Sequence, residues 1–304
     1  MNIINLYSTE NSRESVWLKG NLHTHTKESP CGHHPLADVA AIYSGKVMRY
    51  DFLAVTDHCK LTDVSEIQGM NGLVVFGGTE FKKEAFQTLA INIDHYEDNC
   101  FDKTNHQRVF DEVTAQGGIN VICHPHIYRA DYWPLERLLE LEGYEAVEIY
   151  NHNVKMNNSG RAVATDIWDR LLSAGRRVWG IASDDFHHSS RYGGGFISVL
   201  AEEKNKTAIL DAVKTGAFYS SSGILLKNIE VIDEKTISLS NATPRTSGTV
   251  FSFIGRDVRL LKKQQPQDPE SPATYTVRGD EGYIRVEASR EDGARAWVQP
   301  FWIE

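Results

Sequence analysis

Between residues 16 and 216 short apolar runs alternate with stretches whose apolar positions recur at helical spacing. The runs predict strands beginning at Val16 and covering residues 52–56, 73–76, 88–93, 119–123, 146–150 and 177–182, with a further strand-like run at 196–200. Helices are predicted over 35–44, with Pro35 in the first turn, over 104–116 with a Thr104 cap and Gly117 at the exit, and over 134–141, 161–174 and 206–216. Alternation of this kind implies parallel strands joined by right-handed crossovers, with all strand C-termini on one rim. Beyond Gly223 the helical period stops. Short alternating stretches at 229–232, 236–239, 250–254, 275–278, 283–288 and 296–303, around a polar loop at 263–274, predict a small antiparallel β unit. The expected division is therefore 1–223 and 224–304.

The apolar runs end, nearly every time, in a potential metal ligand. The first ends in His23 and His25, which as an i, i+2 pair on extended backbone face the same way. The next leads into Asp57 and His58, the third to Glu80, the fifth to His124 and His126, the sixth to His152, and the seventh to Asp184, Asp185 and His187. Polar residues scattered by chance would fall equally on helices and on the opposite rim. Their concentration at strand C-termini, where α/β barrels carry their active sites, points to one shared metal site.

The 304 residues are enough for one barrel-sized domain with an appendage, and 41% hydrophobic with 24% charged residues is ordinary for a globular protein. A formal net charge of -9 argues against a nucleic-acid polymer or an anionic membrane as partner. No basic region followed by an apolar run opens the chain, and no apolar stretch has membrane-spanning length. Cys31, Cys59, Cys100 and Cys123 form no Cys-x-x-Cys pair, so the expectation is a cytoplasmic protein in a reducing compartment.

Taken in order, the His-x-His, Asp-His, Glu, His-Pro and Asp-x-His motifs resemble those of the PHP (polymerase and histidinol phosphatase) superfamily over about residues 16 to 223. His124-Pro-His126, Val147-Glu-Ile-Tyr-Asn151, the run from Trp179 to His187 and Tyr219 to Gly223 look like its branch of small proteins with a C-terminal β domain. The resemblance implies a distorted (β/α)7 barrel, up to three divalent metals and phosphoester hydrolysis. Position by position, it implies His23, His25, Glu80 and Asp185 at a first metal, Glu80 being the bridging carboxylate. It implies His58 and His187 at a second, where Cys31 stands in place of the usual His or Asp and His33 or His34 could substitute. His124 and Glu80 match a third, but Gln87 occupies the place of its remaining histidine. With these departures two ions are expected, of manganese, zinc or iron; a thiolate favours zinc or iron over manganese.

Such ions lower the pKa of bound water to roughly 7 and, about 4 Å apart, clamp the attacking and leaving oxygens of an in-line displacement. Asp57, Glu80 and Asp184 are the candidate catalytic carboxylates, Asp57 and Asp184 either orienting imidazoles or accepting the proton. His126, Arg129, His152, Arg161 and Arg191 come after strand ends and are the candidate phosphate contacts. The expected function is hydrolysis of a small phosphorylated metabolite, of nucleotide or sugar phosphate class, by metal-activated hydroxide. A metal-dependent carboxyl or carbamate ester hydrolase and a non-catalytic metal-binding module are the alternatives.

Overall fold

Every apolar run between residues 16 and 201 forms a strand, because runs too short for a helix can bury both faces only inside a sheet. The computed structural model describes residues 2–8, 15–83, 86–95, 106–242, 248–268 and 271–304. Strand β1 (Val16–Asn21) precedes helix α1 (Leu36–Ser44), followed by β2 (Phe52–His58), β3 (Val74–Lys83) and β4 (Phe86–Ile91). Next come α2 (His106–Ala115), β5 (Ile119–Ile122), α3 (Leu135–Glu140), β6 (Ala146–Asn151), α4 (His152–Asn157), α5 (Thr165–Ser173) and β7 (Trp179–Ser183). After β8 (Phe196–Ala201), α6 (Lys206–Thr215) and β9 (Phe218–Ser221), the remainder is extended: β10 (Leu226–Ile232), β11 (Thr236–Asn241), β12 (Val250–Gly255), β13 (Arg259–Gln264), β14 (Ala273–Thr276), β15 (Tyr283–Ser289) and β16 (Arg295–Trp302). Thr104, the expected cap of α2, lies outside the described residues, as does Cys100.

The sheet is mixed, which corrects the expectation of uniformly parallel strands. β1, β2 and β3 pair in parallel, as do β5, β6 and β7, but β4 runs antiparallel to both of its neighbours and β8 antiparallel to β1. The register of Lys83 opposite Phe86 makes β3 and β4 a tight hairpin, which has no room for a crossover helix. Two antiparallel steps in succession restore the common direction, so six strands still end on one rim.

The thirteen-stranded sheet ends in β7, which comes round to meet β9 across a seam bridged by side chains. The Gln299 amide accepts from Gly180 N–H at 2.8 Å and donates to the Gly180 carbonyl at 2.8 Å, while Ser220 Oγ donates to the same carbonyl at 2.7 Å. One buried amide thus supplies the donor and acceptor that a neighbouring strand would have offered.

Gly223 marks no break in the sheet. Pairing of Ala296, Trp297 and Val298 with Ser221, Ser220 and Tyr219 carries the ladder through β16 into β15, β12 and β13. A separate sheet of β10, β11 and β14 shares a core with this extension around Phe251, Phe253 and Tyr275. The two parts are also tied by a buried bidentate pair, Arg285 to Asp169 of α5, with both contacts at 2.6 Å. No described helix is long and apolar enough to cross a membrane. Cys59 is disulfide-bonded; Cys31 and Cys123 are free thiols.

Candidate metal centre

Five strands deliver the polar cluster. His23 and His25 lie just past β1, His58 ends β2, Glu80 lies in β3, His124 comes after β5, and Asp185 and His187 come after β7. His124 at φ +27 and Asp185 at φ +49 are held in the left-handed region, a strained backbone found where a site over-determines its residues. His23, His25, Glu80 and Asp185 are all at most 3% exposed.

The ligand atoms of these four residues face one point. His23 Nε2 lies 3.1 Å from His25 Nε2, 3.4 Å from Glu80 Oε2 and 3.4 Å from Asp185 Oδ1. His25 Nε2 is 3.2 Å from Glu80 Oε2 and 3.4 Å from Asp185 Oδ1. Four ligands bonded at about 2.0–2.1 Å to a tetrahedral zinc would be separated by about 3.3–3.4 Å. The donor set therefore fits a divalent ion in both chemistry and spacing. Asp185 Oδ1 supports the fit, being a buried carboxylate oxygen that receives no hydrogen bond.

Glu80 extends the cluster in two directions. Its Oε2 also meets His58 Nδ1 at 2.9 Å, and its Oε1 meets His124 Nε2 at 3.1 Å. One carboxylate thus faces four imidazoles, which is the arrangement of a bridging ligand. Burial opposes charge on Glu80, but His23, His124 and His25 outweigh it and hold its carboxyl well below the usual range. Burial likewise opposes charge on His23, yet Asp185, Glu148 and Glu80 raise its pKa well above the ordinary value. The pocket favours positive charge.

Cys31, His58 and His187 converge on one side of this cage, with His25, His58 and His187 also close enough to share an ion. Burial works against a thiolate at Cys31, but hydrogen bonds with His187 and His58 lower its pKa to about 6. His33 and His34 do not replace it. Their rings pack toward His188, at centroid distances of 5.4 and 5.6 Å, and His34 Nε2 accepts from Ser189 N–H at 3.3 Å. Gln87 lies beside Tyr132, whose hydroxyl donates to it at 3.4 Å.

Two carboxylates expected to be catalytic face away from the cluster. Asp57 accepts from Thr26 N–H at 2.7 Å, Thr26 Oγ1 at 2.8 Å, Ser29 Oγ at 2.6 Å and Thr62 Oγ1 at 2.6 Å. Ser29 Oγ lies 3.0 Å from His25 Nδ1, so Asp57 acts on that imidazole through the serine. Asp184 contacts no metal-facing imidazole. It accepts from the N–H groups of Gly193, Gly194 and Gly195 at 2.9, 2.7 and 2.8 Å and from Tyr43 at 2.9 Å, organising the turn before β8.

Glu148 was missed as a functional residue. It lies 1% exposed within a strand otherwise apolar up to Tyr150, accepts from His23 Nδ1 at 2.8 Å and His124 N–H at 2.7 Å, and is also bonded by Asn151 at 3.0 Å and by Ser183. An acidic residue inside an apolar run was the available signal. Asn151 and Asn153 donate to Asp185 Oδ2 at 3.1 and 3.3 Å, turning Oδ1 toward the imidazoles.

The expected phosphate contacts separate into pairs. His126 Nε2 meets Asp166 at 3.0 Å, and Arg161 bonds both His126 and Asp166, the latter at 2.6 Å. Arg191 bonds Asn153 at 3.1 Å, and His152 Nδ1 meets the Tyr150 hydroxyl at 3.0 Å. Arg129 is exposed on the loop beyond His124 and His126.

No family model matches the chain, and no curated protein matches it. Among solved structures, a two-domain protein from Bacteroides vulgatus containing a predicted PHP-like metal-dependent phosphoesterase aligns with a TM-score of 0.54 at 14% identity, covering 95% of each chain. A lesion-specific endonuclease from Pyrococcus furiosus aligns with a TM-score of 0.46 at 13% identity, over 85% of this chain and 69% of its own. Over nearly its whole length the chain therefore shares the fold of the Bacteroides vulgatus protein.

Proposed function

We propose that this chain is a metal-dependent hydrolase of phosphoesters, acting on a small phosphorylated metabolite of nucleotide or sugar phosphate class. The observation that carries the reading is Glu80, one buried carboxylate facing His23, His25 and His58 with one oxygen and His124 with the other. His23, His25, Glu80 and Asp185 would hold a first ion, and Cys31, His58 and His187 a second. Divalent ions held there would supply Lewis acidity and an acidified water at neutral pH.

The protein's own contribution is orientation and charge. Glu148 fixes the His23 ring through Nδ1, and Ser29, itself held by Asp57, lies against His25 Nδ1. The opposite ring nitrogens are thereby presented to the cage without rotational search. Arg129, Arg161 and Arg191 place positive charge on the loops around the rim, where a phosphate dianion would otherwise meet several carboxylates. His126 and His152 sit behind Arg161 and Tyr150 and support these loops.

The test is phosphate release from sugar phosphates, nucleotides and aryl phosphates by metal-stripped protein to which manganese, zinc or iron(II) is restored separately. Release should depend on the restored metal, and His23→Ala and Asp185→Ala should each abolish it together with metal retention. Full activity in both variants, or faster cleavage of aryl carboxylates than of any phosphate, would overturn the proposal.

A further inference from the structure

Tyr128 occupies an expensive position for which the free protein shows no return. Its φ is +62, and Arg129 N–H donates to the Ile127 carbonyl at 2.7 Å, so Tyr128 is the centre of a γ-turn of the rare, strained hand. The turn is pinned from outside. Tyr128 N–H donates to the Ser159 carbonyl at 2.6 Å, Arg161 N–H donates to the His126 carbonyl at 3.1 Å, and Ile127 bridges Gly160. At Gly160, itself at φ +149, any side chain would strike the His126 carbonyl and approach Tyr128 N to 2.8 Å. The fold thus over-determines a conformation disfavoured for a bulky residue. Yet the side chain is 74% exposed, so the strain stabilises no packed core.

What the turn achieves is placement. The Tyr128 ring stands edge-on to Tyr132 at 6.3 Å, and Tyr132 lies 6.0 Å from the ring of His124. A line of rings therefore runs from the candidate metal centre to solvent, beside the exposed cation Arg129 and near Arg161, which is paired with Asp166 at 2.6 Å. A phosphate held at the imidazole cluster would leave an attached nucleobase within reach of Tyr128, whereas a plain sugar phosphate has no flat ring to lay against it. We propose that Tyr128 is the base-stacking residue of a nucleotide subsite, which makes the substrate a phosphoester bearing an aromatic base. This rests on the phosphoesterase reading for the identity of the reacting group, while the stacking contact itself does not require turnover.

The experiment is isothermal titration of the manganese-restored protein with adenosine 5′-monophosphate and with ribose 5-phosphate. It compares the wild type with Tyr128→Phe, which keeps the ring, and Tyr128→Asn, which tolerates the left-handed backbone but removes the ring. Wild type and Tyr128→Phe should bind the nucleotide at least about fivefold tighter than the sugar phosphate, and Tyr128→Asn should lose that preference with its affinity for the sugar phosphate unchanged. Equal affinity for the two ligands in the wild type, a preference that survives Tyr128→Asn, or no binding of either overturns the subsite. Tyr128-dependent binding without phosphate release from any ester would overturn the phosphoesterase reading and sustain the subsite.

Discussion

Glu148 receives the His23 ring, the His124 backbone and Ser183, so the ends of three strands meet on one buried carboxylate. In Glu148→Gln one oxygen becomes an amide that donates, so the side chain can no longer accept both from Ser183 and His23, which share one oxygen, and from His124 N–H and Asn151, which share the other. Metal affinity should fall about 10–100-fold, as for other lost partners of ligating histidines, read by competition against a chromogenic chelator. Unchanged affinity would mean that His23 is oriented by its strand alone. His152 gives a pH-dependent effect. Burial, then the charges of Lys155 and Arg191, lower its pKa from 6.5 to about 4. It is neutral in the folded protein at neutral pH, and the unfolded chain binds the extra proton as pH falls from 6.5 toward 4. Its stabilising contribution is therefore complete above pH 6.5 and lost progressively below it. The melting temperature of His152→Gln should decline less steeply than that of the wild type through this window; parallel curves would remove His152 as the cause.

The turn from Gly193 to Gly195 is an element built around Asp184, whose carboxylate takes all three of its N–H groups. A Cβ at Gly195 would strike the Ser183 carbonyl, which is backbone and cannot swing aside. Gly195→Ala should cost about 1–3 kcal/mol in a denaturant midpoint measurement, and a neutral result would show that the turn can shift without loss. At this scale the sequence was legible where burial is two-sided. β2, β5, β6 and β7 are wholly or almost wholly buried and read as continuous apolar runs. Strand direction was not legible, because an antiparallel β4 and a parallel neighbour carry the same pattern. β9 reads Phe-Tyr-Ser-Ser and β13 reads Arg-Leu-Leu-Lys-Lys-Gln, too polar to announce strands, since one is closed by side-chain hydroxyls and the other lies on an edge. Helix α5 begins at Thr165 and not at residue 161 because Arg161 and Val163 are engaged by His126 and Tyr150. The cage was legible as a set of ligands at strand ends, whereas its supports were not: His23 and Glu148 are 125 positions apart, and nothing local joins them.

Across the whole molecule, the C-terminal strands do more than append a unit to the sheet that carries the site. β16 extends the ladder from β9, Gln299 closes the seam at Gly180, and Arg285 is buried against Asp169 of α5. The Arg285–Asp169 pair has both side chains 3% exposed, so neither charge has water to fall back on. Removing Asp169 leaves Arg285 buried with Glu287 at 3.6 Å as its remaining carboxylate, so the cost falls at the lower end of the about 3–5 kcal/mol for breaking such a pair. Asp169→Ala should therefore lower stability by that amount, although it lies on a helix and touches none of the ligand residues. Gln299→Ala should orphan the Gly180 N–H at the seam, the carbonyl keeping the Ser220 hydroxyl, and add its own loss of about 1–3 kcal/mol. Because the sheet is continuous across Gly223, wild-type unfolding monitored by far-ultraviolet and near-ultraviolet circular dichroism should give one coincident transition. Both variants should shift that transition without splitting it. A separate early transition in the wild type would show that the β extension melts independently of the strands that carry the imidazoles. The seam would then be a contact between two stable units. Coincidence would show instead that the strands framing the site persist only while the C-terminal strands are folded against them.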